Sequence, residues 1–346
     1  MNTICPNTVS KFEMLSAKSA KTCYGRHTVR SQTNSCEFLL LAKTACSIWI
    51  LMLMACAMLC STSLAMQTMP NDTVPLGVTG TLKRFEKFPS RYVEARNVDV
   101  WLPPDYDKNS NERYAVLYMH DGQNLFEPKF SFIGVDWGID EALTQLIVQK
   151  RVPPVMVVGV WNSPKRRAEY MPQKAFEKLS ETEKTEWIAQ HGSAAFSDRY
   201  LQFLVSELKP FIDSTFRTRP QRESTFIMGS SMGGLISLYA ICEYPEVFGG
   251  AGCLSTHFPA GKGIMLEYMK DHLPDPSTHK IYFDYGTETV DKDYEPYQRQ
   301  ADEIMKAKGY TNKTWMTRKF VGDEHSERAW RKRVHIPLQF LLTHSD

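Results

Sequence analysis

The sequence predicts an α/β fold in which a mostly parallel central sheet is flanked by helices. Short apolar runs, typical of strands buried on both faces, alternate with segments whose apolar residues recur at helical spacing. Such alternation favours a parallel sheet. The composition, 42% hydrophobic and 23% charged among 346 residues, is that of a soluble globular protein with a sizeable core. A formal net charge of +2, without a basic stripe interleaved with aromatic residues, argues against a nucleic-acid partner.

The amino-terminal residues 1–65 are predicted to be a targeting segment. Lys43 precedes an apolar run over residues 45–59, and small residues follow at Ser63 and Ala65, which is the pattern of a secretory signal cleaved after Ala65. The run is short for a membrane span. An uncleaved anchor and lipid attachment at Cys56 are the alternatives. We therefore expect an exported protein, periplasmic or secreted, that meets the membrane only through this segment.

Residues 66–79 are polar, contain two prolines and are predicted to be a linker, so the folded domain is expected over residues 80–346. Six of the eight cysteines lie in residues 5–60. The two that remain, Cys242 and Cys253, fall in apolar segments and are predicted to be buried thiols, with a disulfide between them as the less favoured alternative.

The first half of the domain has two alternating strand patterns, at residues 82–88 and 98–102. The near-continuous apolar run Tyr114–Met119 (YAVLYM) predicts a strand buried on both faces. Helical spacing follows over Ile139–Ile147, and the run Pro154–Trp161 (PVMVVGVW) predicts another buried strand.

Residues 163–197 interrupt the alternation of predicted strands and helices. The stretch is rich in Glu and Lys and carries aromatic residues at Tyr170, Phe176, Trp187 and Phe196. We interpret it as a helical excursion over the carboxyl edge of the sheet, where loops line the binding crevice of open α/β folds. A solvated helical insertion without a role is the alternative.

Regular alternation resumes after the excursion. The predicted elements are a helix over 198–213, strands over 225–228, 249–254, 280–285 and 314–321, and helices over 297–308 and 327–342.

The segment Ser224–Leu235 (STFIMGSSMGGL) is predicted to be a strand, a sharp turn and the start of a helix. Its centre matches G-x-S-x-G, the nucleophile elbow of α/β-hydrolases, with Ser231 in the central position. Glycines flank the serine because side chains there would collide with the adjacent strand and helix. The turn leaves the backbone N–H of Met232 at a helix amino terminus, where it can donate to an oxyanion.

A serine hydroxyl becomes a useful nucleophile when a histidine accepts its proton and a carboxylate orients that histidine. In α/β-hydrolases the chain order is serine, acid, histidine. His325, which follows the last predicted strand, meets the requirement for position. The acid is expected in the loop after strand 280–285, where Asp291 is favoured and Glu288 is the second candidate.

The second oxyanion donor is expected in the loop after YAVLYM, which faces the elbow in this fold. The backbone N–H groups of Gly122 and Gln123 are the candidates. The neighbouring pair His120 and Asp121 is a weak metal site on its own, and the sequence has no paired cysteine or histidine spacing, so we predict neither a metal nor another cofactor.

With these residues placed, the chain resembles the putative esterase family of the α/β-hydrolase superfamily, which contains esterase D and enterochelin-type, feruloyl and acetyl-xylan esterases. The matching segments are YMHDGQNLF (118–126), VVGVWN with RRAEYMP (157–172), LKPFIDSTFRT (208–218), IMGSSMGGLISLYA (227–240), FDYGTETVD (283–291) and GDEHSERAW (322–330). Together they span nearly all of residues 80–346.

The resemblance implies an α/β-hydrolase fold, with Ser231 as nucleophile, His325 as base and the Met232 N–H as an oxyanion donor. The resemblance implies an acid whose position varies, and a Ser-His dyad in some members, so Asp291 and Glu288 both remain open. The family covers esters of sugars, phenolic acids, siderophores and small acyl thioesters, so the resemblance does not specify a substrate.

We therefore expect a serine esterase acting on a small-molecule or glycan-linked carboxylic ester through an acyl-enzyme. Four candidate substrate contacts lie at the start of the excursion: Asn162, Arg166, Arg167 and Tyr170. One alternative is an acyltransferase that uses the same residues. The other is a hydrolase-fold protein that binds glycan or peptide without catalysis.

Overall fold

The computed structural model describes residues 77–108 and 110–343. The predicted targeting segment and most of the predicted linker lie outside these residues. No helix within the described part of the chain is both long and apolar enough to span a bilayer.

Eight strands form one sheet in the order β1-β2-β4-β3-β5-β6-β7-β8. β2 runs antiparallel to both β1 and β4, and every other neighbouring pair is parallel, so the predicted mostly parallel sheet is confirmed. The strands are β1 Thr81–Phe88, β2 Arg96–Leu102, β3 Ala115–His120, β4 Val155–Val160, β5 Thr225–Ser230, β6 Gly250–Leu254, β7 Lys280–Tyr285 and β8 Trp315–Lys319.

Helices pack on both faces of this sheet. They are α1 Ile139–Val148, α2 Arg166–Tyr170, α3 Gln173–Phe176, α4 Glu181–His191, α5 Ser197–Phe203, α6 Lys209–Thr215, α7 Met232–Glu243, α8 Ile264–His272, α9 Glu295–Ala307, α10 Glu327–Arg333 and α11 His335–Leu342. The excursion over residues 163–197 is helical, as predicted, and supplies α2, α3 and α4.

Strand β3 explains why the buried strands have continuous apolar sequences. Val116 and Tyr118 belong to the apolar cluster on one face of the sheet, and Leu117 and Met119 belong to the cluster on the other. Successive side chains of a strand point to opposite faces, so a strand covered on both sides needs apolar residues at every position.

Prolines account for two departures from the predicted helices. The helix expected over 198–213 contains a π-helical segment, Leu204–Leu208, which ends two residues before Pro210. The helix expected over 327–342 is divided at Val334, three residues before Pro337. A proline has no N–H to donate and its ring crowds the preceding turn, so a helix breaks or adjusts just before it. Helix α8 was not predicted, although its apolar residues have helical spacing.

A pair of carboxyl groups near the start of α1 makes stability depend on pH. Asp140 is fully buried and accepts hydrogen bonds from Thr79 at Oδ2, but within the described part of the chain no other group bonds to its Oδ1 or to the Oε2 of Glu141. Burial, together with a hydrogen bond to Glu141, raises the pKa of Asp140 to about 7. A proton shared between the two carboxyl groups satisfies both oxygens.

Because the folded-state pKa of Asp140 exceeds its unfolded value, its stabilising contribution is present below about pH 4 and is lost as pH rises through about 7. We expect urea unfolding free energies of the wild type to fall by about 1–2 kcal/mol, relative to Asp140→Asn, between pH 5 and pH 8.5. The amide N–H of asparagine replaces the shared proton at every pH. The exposed Asp107→Asn variant is the control, and an equal pH dependence in all three proteins would contradict the shared proton.

The parallel strands β3 to β8 end at the same edge of the sheet. The loops that follow them therefore meet there, and these loops contain the elbow, both acid candidates and His325. An active site is therefore expected at this edge of the sheet.

Candidate active site

The elbow has the predicted strand, turn and helix. Strand β5 ends at Ser230, helix α7 begins at Met232, and Ser231 between them has φ 57° and ψ −121°. A non-glycine residue with positive φ is strained, and such strain is typical of functional turns. A Cβ atom on Gly229 would lie 2.8 Å from the backbone of Gly233, so glycine is needed there for clearance, as predicted.

Backbone hydrogen bonds hold Ser231 against the neighbouring strand. Its N–H donates to the carbonyl of Leu254 at the end of β6 (2.9 Å), and its carbonyl accepts from the N–H of His257 (3.1 Å). Met232 is the first residue of α7, so its N–H has no acceptor within the helix. The elbow is therefore rigid and presents a free donor beside the serine.

Asp291 is the acid candidate that contacts His325. Its Oδ1 lies 2.5 Å from His325 Nδ1, and Asp291 is buried. Glu288 is exposed and makes no contact with the imidazole. The N–H groups of Thr287 and Glu288 both donate to the carbonyl of Asp323 (3.1 and 3.0 Å), so the loop that carries the acid is bound directly to the loop that carries the histidine.

The other oxygen of Asp291 is also fully engaged. Oδ2 accepts hydrogen bonds from Ser255 Oγ and from the N–H of Gly286, both at 2.6 Å. Burial alone would raise the pKa of Asp291, but the hydrogen bonds from His325, Ser255 and Gly286 outweigh it and lower the pKa below its usual value. The carboxylate is therefore ionised at neutral pH and oriented towards the imidazole.

Ser255 connects Asp291 to a buried ion pair. Its Oγ accepts from Trp330 Nε1 (3.1 Å) and from Arg333 Nη2 (3.0 Å). Arg333 also donates to Asp284 Oδ1 (3.0 Å), and both members of this pair are at most 2% exposed. Asp284, at the end of β7, thus positions Arg333, which in turn donates to the Ser255 hydroxyl, and does not itself contact His325 or Asp291.

Tyr294 and His257 lie beside the serine and were not predicted. The Tyr294 hydroxyl shares a 2.6 Å hydrogen bond with His257 Nδ1, and it lies near enough to Ser231 for the serine to affect the pKa of the phenol. The Tyr294 ring packs edge-on against the imidazole of His325, with centroids 5.7 Å apart. Burial and the charge of Asp291 raise the pKa of Tyr294, so the phenol stays protonated. Burial and the nearby cations, Arg167 foremost, lower the pKa of His257 to about 4, so its ring is neutral.

Ser231 and His325 thus contact the same tyrosine. Among residues 77–108 and 110–343, the hydrogen bonds of His325 go to Asp291 and Thr289, and none joins it to Ser231. Hydrogen bonds between catalytic groups are often long before substrate binds, so this arrangement is compatible with proton transfer between the two residues.

The loop after β3 contains the two predicted oxyanion donors. Gly122 and Gln123 begin a 3₁₀ turn whose first N–H groups have no acceptor within the turn. A Cβ atom on Gly233 would lie 3.2 Å from Asp121 Oδ2, which shows that this loop packs against the first turn of the elbow helix.

Two of the four predicted substrate contacts brace this loop instead. Arg166 donates to both carboxylate oxygens of Asp121 (2.6 and 2.7 Å), and Asn162 donates to Asp121 Oδ1 (2.6 Å). Tyr170 is fully buried between His120 and Tyr200, so the prediction that it contacts substrate is wrong.

His120 and Asp121, the pair considered as a weak metal site, are otherwise engaged. Burial lowers the pKa of His120 to about 3, and its Nδ1 lies 2.8 Å from the hydroxyl of Tyr200. Both carboxylate oxygens of Asp121 bind Arg166. Cys242 and Cys253 are buried free thiols, as predicted.

Arg167 is the predicted substrate contact that remains free. It is exposed and lines a cavity of about 240 Å³. Trp187 and His191, from the same excursion, form another part of the wall, and His257 connects the cavity to Tyr294 and hence to Ser231. The excursion therefore forms part of a cavity wall, and His257 lies between this cavity and Ser231.

Comparison with known proteins identifies the family. A family model described as "Putative esterase" matches residues 90–339, which is most of the chain. The protein YbbA of Bacillus subtilis (strain 168), described as uncharacterized, is 24% identical over 261 residues, covering 71% of this chain and 92% of that protein.

Two solved structures share the fold. A ferulic acid esterase of the anaerobic fungus Anaeromyces mucronatus aligns with a TM-score of 0.56 at 20% identity, covering 79% of this chain and 93% of the other. The enterobactin esterase of Shigella flexneri aligns with a TM-score of 0.55 at 19% identity, covering 79% of this chain and 60% of the other. At these identities the likeness concerns the fold, and the extent of the family match carries the assignment. The chain belongs to the putative esterase family of the α/β-hydrolase superfamily.

Proposed function

We propose that the protein is a serine esterase that hydrolyses a carboxylic ester through an acyl-enzyme. The observation that carries the proposal is the pairing of Asp291 with His325 beside a serine on a strained elbow. The family and the names of its structural neighbours, ferulic acid esterase and enterobactin esterase, support ester hydrolysis. A sugar, phenolic or siderophore ester is in keeping with these relatives.

In the proposed first step, Ser231 Oγ attacks the ester carbonyl carbon while His325 Nε2 takes its proton. The carbonyl oxygen becomes an oxyanion that accepts hydrogen bonds from the N–H groups of Met232 and of Gly122 or Gln123. Asp291, ionised and bonded to Nδ1, stabilises the imidazolium. The intermediate collapses, the alcohol leaves with the proton from His325, and the acyl group stays on Ser231.

In the second step His325 accepts a proton from water as the water attacks the acyl carbon. The carboxylic acid leaves and the proton returns to Ser231. Tyr294 is held by His257 beside Ser231 Oγ, where it orients the hydroxyl.

The test is covalent labelling with a fluorophosphonate, read by intact mass. We expect one phosphonyl group on the wild type, none on Ser231→Ala and strongly slowed labelling of His325→Ala, because the reagent traps an activated serine. Folding of each variant is checked by circular dichroism. A folded wild type that is never labelled would contradict the proposal and would favour a binding protein with a hydrolase fold.

Gly122→Ala is expected to lower kcat for a simple aryl ester by about 100-fold, the loss typical of one misplaced oxyanion donor. The added Cβ would lie 2.5 Å from the carbonyl carbon of Gly159 on β4, so the loop has to move away from the strand. Gly309→Ala is the control, since Gly309 lies beyond α9 and its added Cβ would make only an ordinary 3.8 Å contact with Pro276, while its φ of 87° provides the backbone strain of a glycine-to-alanine change outside the oxyanion loop. Equal activity of the two variants would contradict the assigned oxyanion loop.

We also propose that residues 1–65 direct export and are removed after Ala65. The apolar run over residues 45–59 with its basic flank supports this proposal. The amino-terminal sequence of the mature protein from a homologous host tests it: a chain beginning at Met66 is expected, and an intact amino terminus would favour an anchor.

A further inference from the structure

Arg167 stands out among the arginines around the site because its charge is not neutralised. Within residues 77–108 and 110–343, no carboxylate lies within ion-pair distance of its guanidinium. The adjacent Arg166 is bound by Asp121, and the buried Arg333 is bound by Asp284 and Asp323. Arg167 thus differs from the arginines that have a structural role.

The unpaired charge of Arg167 affects the pKa values of the neighbouring groups. Burial and then the charge of Arg167 lower the pKa values of His257 and His191, so both rings are neutral and add no positive charge. Partial burial and the charge of Arg166 lower the pKa of Arg167 itself. The Arg167 guanidinium is partly buried and lies near another cation, so an anion that binds to it would stabilise its charge.

The cavity next to Arg167 has space for such an anion. Its volume of about 240 Å³ suits a small organic group, and the packed rings of Trp187 and His191, with centroids 4.1 Å apart, form part of its wall. Two carboxylates also line it. Glu183 is bound by Lys262 (2.9 Å) and caps helix α4, while Glu186 is exposed to solvent.

One residue of the cavity wall, His257, connects the cavity to the proposed nucleophile. The backbone N–H of His257 donates to the carbonyl of Ser231. The imidazole Nδ1 of His257 is hydrogen-bonded to the hydroxyl of Tyr294, which lies near Ser231. The charge of Arg167 acts on both His257 and Tyr294. A substrate that binds at Arg167 and reaches Ser231 has to extend past His257 and Tyr294.

We infer that the ester substrate carries an anionic oxygen group, a carboxylate or a phosphate, that binds Arg167 in this cavity. The inference rests on the proposed esterase function and specifies its substrate class. A planar guanidinium binds such groups through paired hydrogen bonds, which gives orientation as well as attraction.

The experiment compares matched anionic and neutral esters at neutral pH. 4-Nitrophenyl hydrogen glutarate against 4-nitrophenyl valerate tests a carboxylate in the acyl part, and the 4-nitrophenyl ester of 4-phosphonobutanoic acid tests a phosphorus oxyanion there. 4-Carboxyphenyl butyrate against 4-carbamoylphenyl butyrate tests a carboxylate in the alcohol part. Each is assayed with wild type, Arg167→Gln, Arg167→Lys and the control Arg199→Gln, which removes an exposed charge outside the cavity.

We expect the wild type to prefer the anionic ester of at least one pair by about 10-fold or more in kcat/KM. Arg167→Gln is expected to abolish that preference while leaving the neutral ester within about twofold, and Arg167→Lys to restore part of it. Arg199→Gln is expected to behave as wild type.

Ser231-dependent hydrolysis without a preference for charge would overturn this inference and leave the proposed function standing. An equal fall in Arg167→Gln and Arg199→Gln would overturn it as well, since that result indicates a general effect of net charge. Failure to hydrolyse any of the esters, with no labelling of Ser231, would overturn both proposals.

Discussion

Asp291→Asn is expected to lower kcat by about 10⁴-fold, the scale of loss when the acid of a Ser-His-Asp triad becomes an amide. The substitution preserves size but presents either an N–H donor or a neutral oxygen to His325 Nδ1. In both cases the imidazolium that forms during attack loses its stabilising charge. The measurement is kcat for a neutral aryl ester, with the pH profile recorded for both proteins.

Glu288→Gln is the matched control for Asp291→Asn. Glu288 lies three residues earlier on the same loop, is exposed and does not contact His325, so the variant is expected to stay within about twofold of the wild type. If Glu288→Gln lost more activity than Asp291→Asn, the acid would be misassigned. If both variants were nearly fully active, a Ser-His dyad would suffice.

Arg333→Met is expected to lower the free energy of unfolding by about 3–5 kcal/mol, because it leaves the fully buried Asp284 without its cation. The substitution keeps the apolar stem, so loss of packing contributes little. Activity is expected to fall as well, since Arg333 donates to the Ser255 hydroxyl that orients Asp291. Urea unfolding monitored by tryptophan fluorescence measures the first effect, and kcat of the folded variant measures the second.

Two further variants make this prediction specific. Arg328→Met removes an exposed arginine of the same helix, paired with Glu324 at the surface, and is expected to cost less than about 1 kcal/mol. The double variant Arg333→Met with Asp284→Asn also removes the unpaired charge of the Asp284 carboxylate, so it is expected to recover part of the lost free energy of unfolding. A double variant less stable than Arg333→Met alone would show that the buried charge is not the cause.

The sequence predicted the sheet, the elbow and the histidine because each has a strong local signal. A strand buried on both faces requires an unbroken apolar run, as in β3. The elbow requires glycines where a side chain would collide, as at Gly229. His325 was identified by its position after the last strand. Local patterns therefore sufficed for the sheet and the elbow, and chain order sufficed to select His325.

The choice between Asp291 and Glu288 required three-dimensional information. Both lie on one loop, and the 3₁₀ turn Thr289–Asp293 determines which carboxylate faces inward. The network around Ser255 was also missed, because Asp284, Arg333 and Trp330 converge on that hydroxyl from distant positions in the chain.

The predicted substrate contacts of the excursion could not be ranked from the sequence for a related reason. Asn162, Arg166 and Arg167 look alike in sequence as polar residues near the crevice, and only the structure shows which of them a carboxylate binds. Asp121 binds the first two and not the third. His257 had a usable signal, since it follows β6 at the same edge of the sheet as the elbow, and this positional argument could have identified it.

The hydrogen bonds from Thr287 and Glu288 to the carbonyl of Asp323 have a consequence for how the family can diversify. They join the acid and the histidine to each other through backbone atoms, independently of residues 163–197. The part of the excursion after α2, residues 171–197, can therefore be exchanged as a cassette, or acquire insertions, while the distance between Asp291 and His325 is preserved and Arg166 keeps its hold on Asp121. A chimera that carries this part of a relative's excursion should hydrolyse that relative's ester with this protein's own reaction machinery.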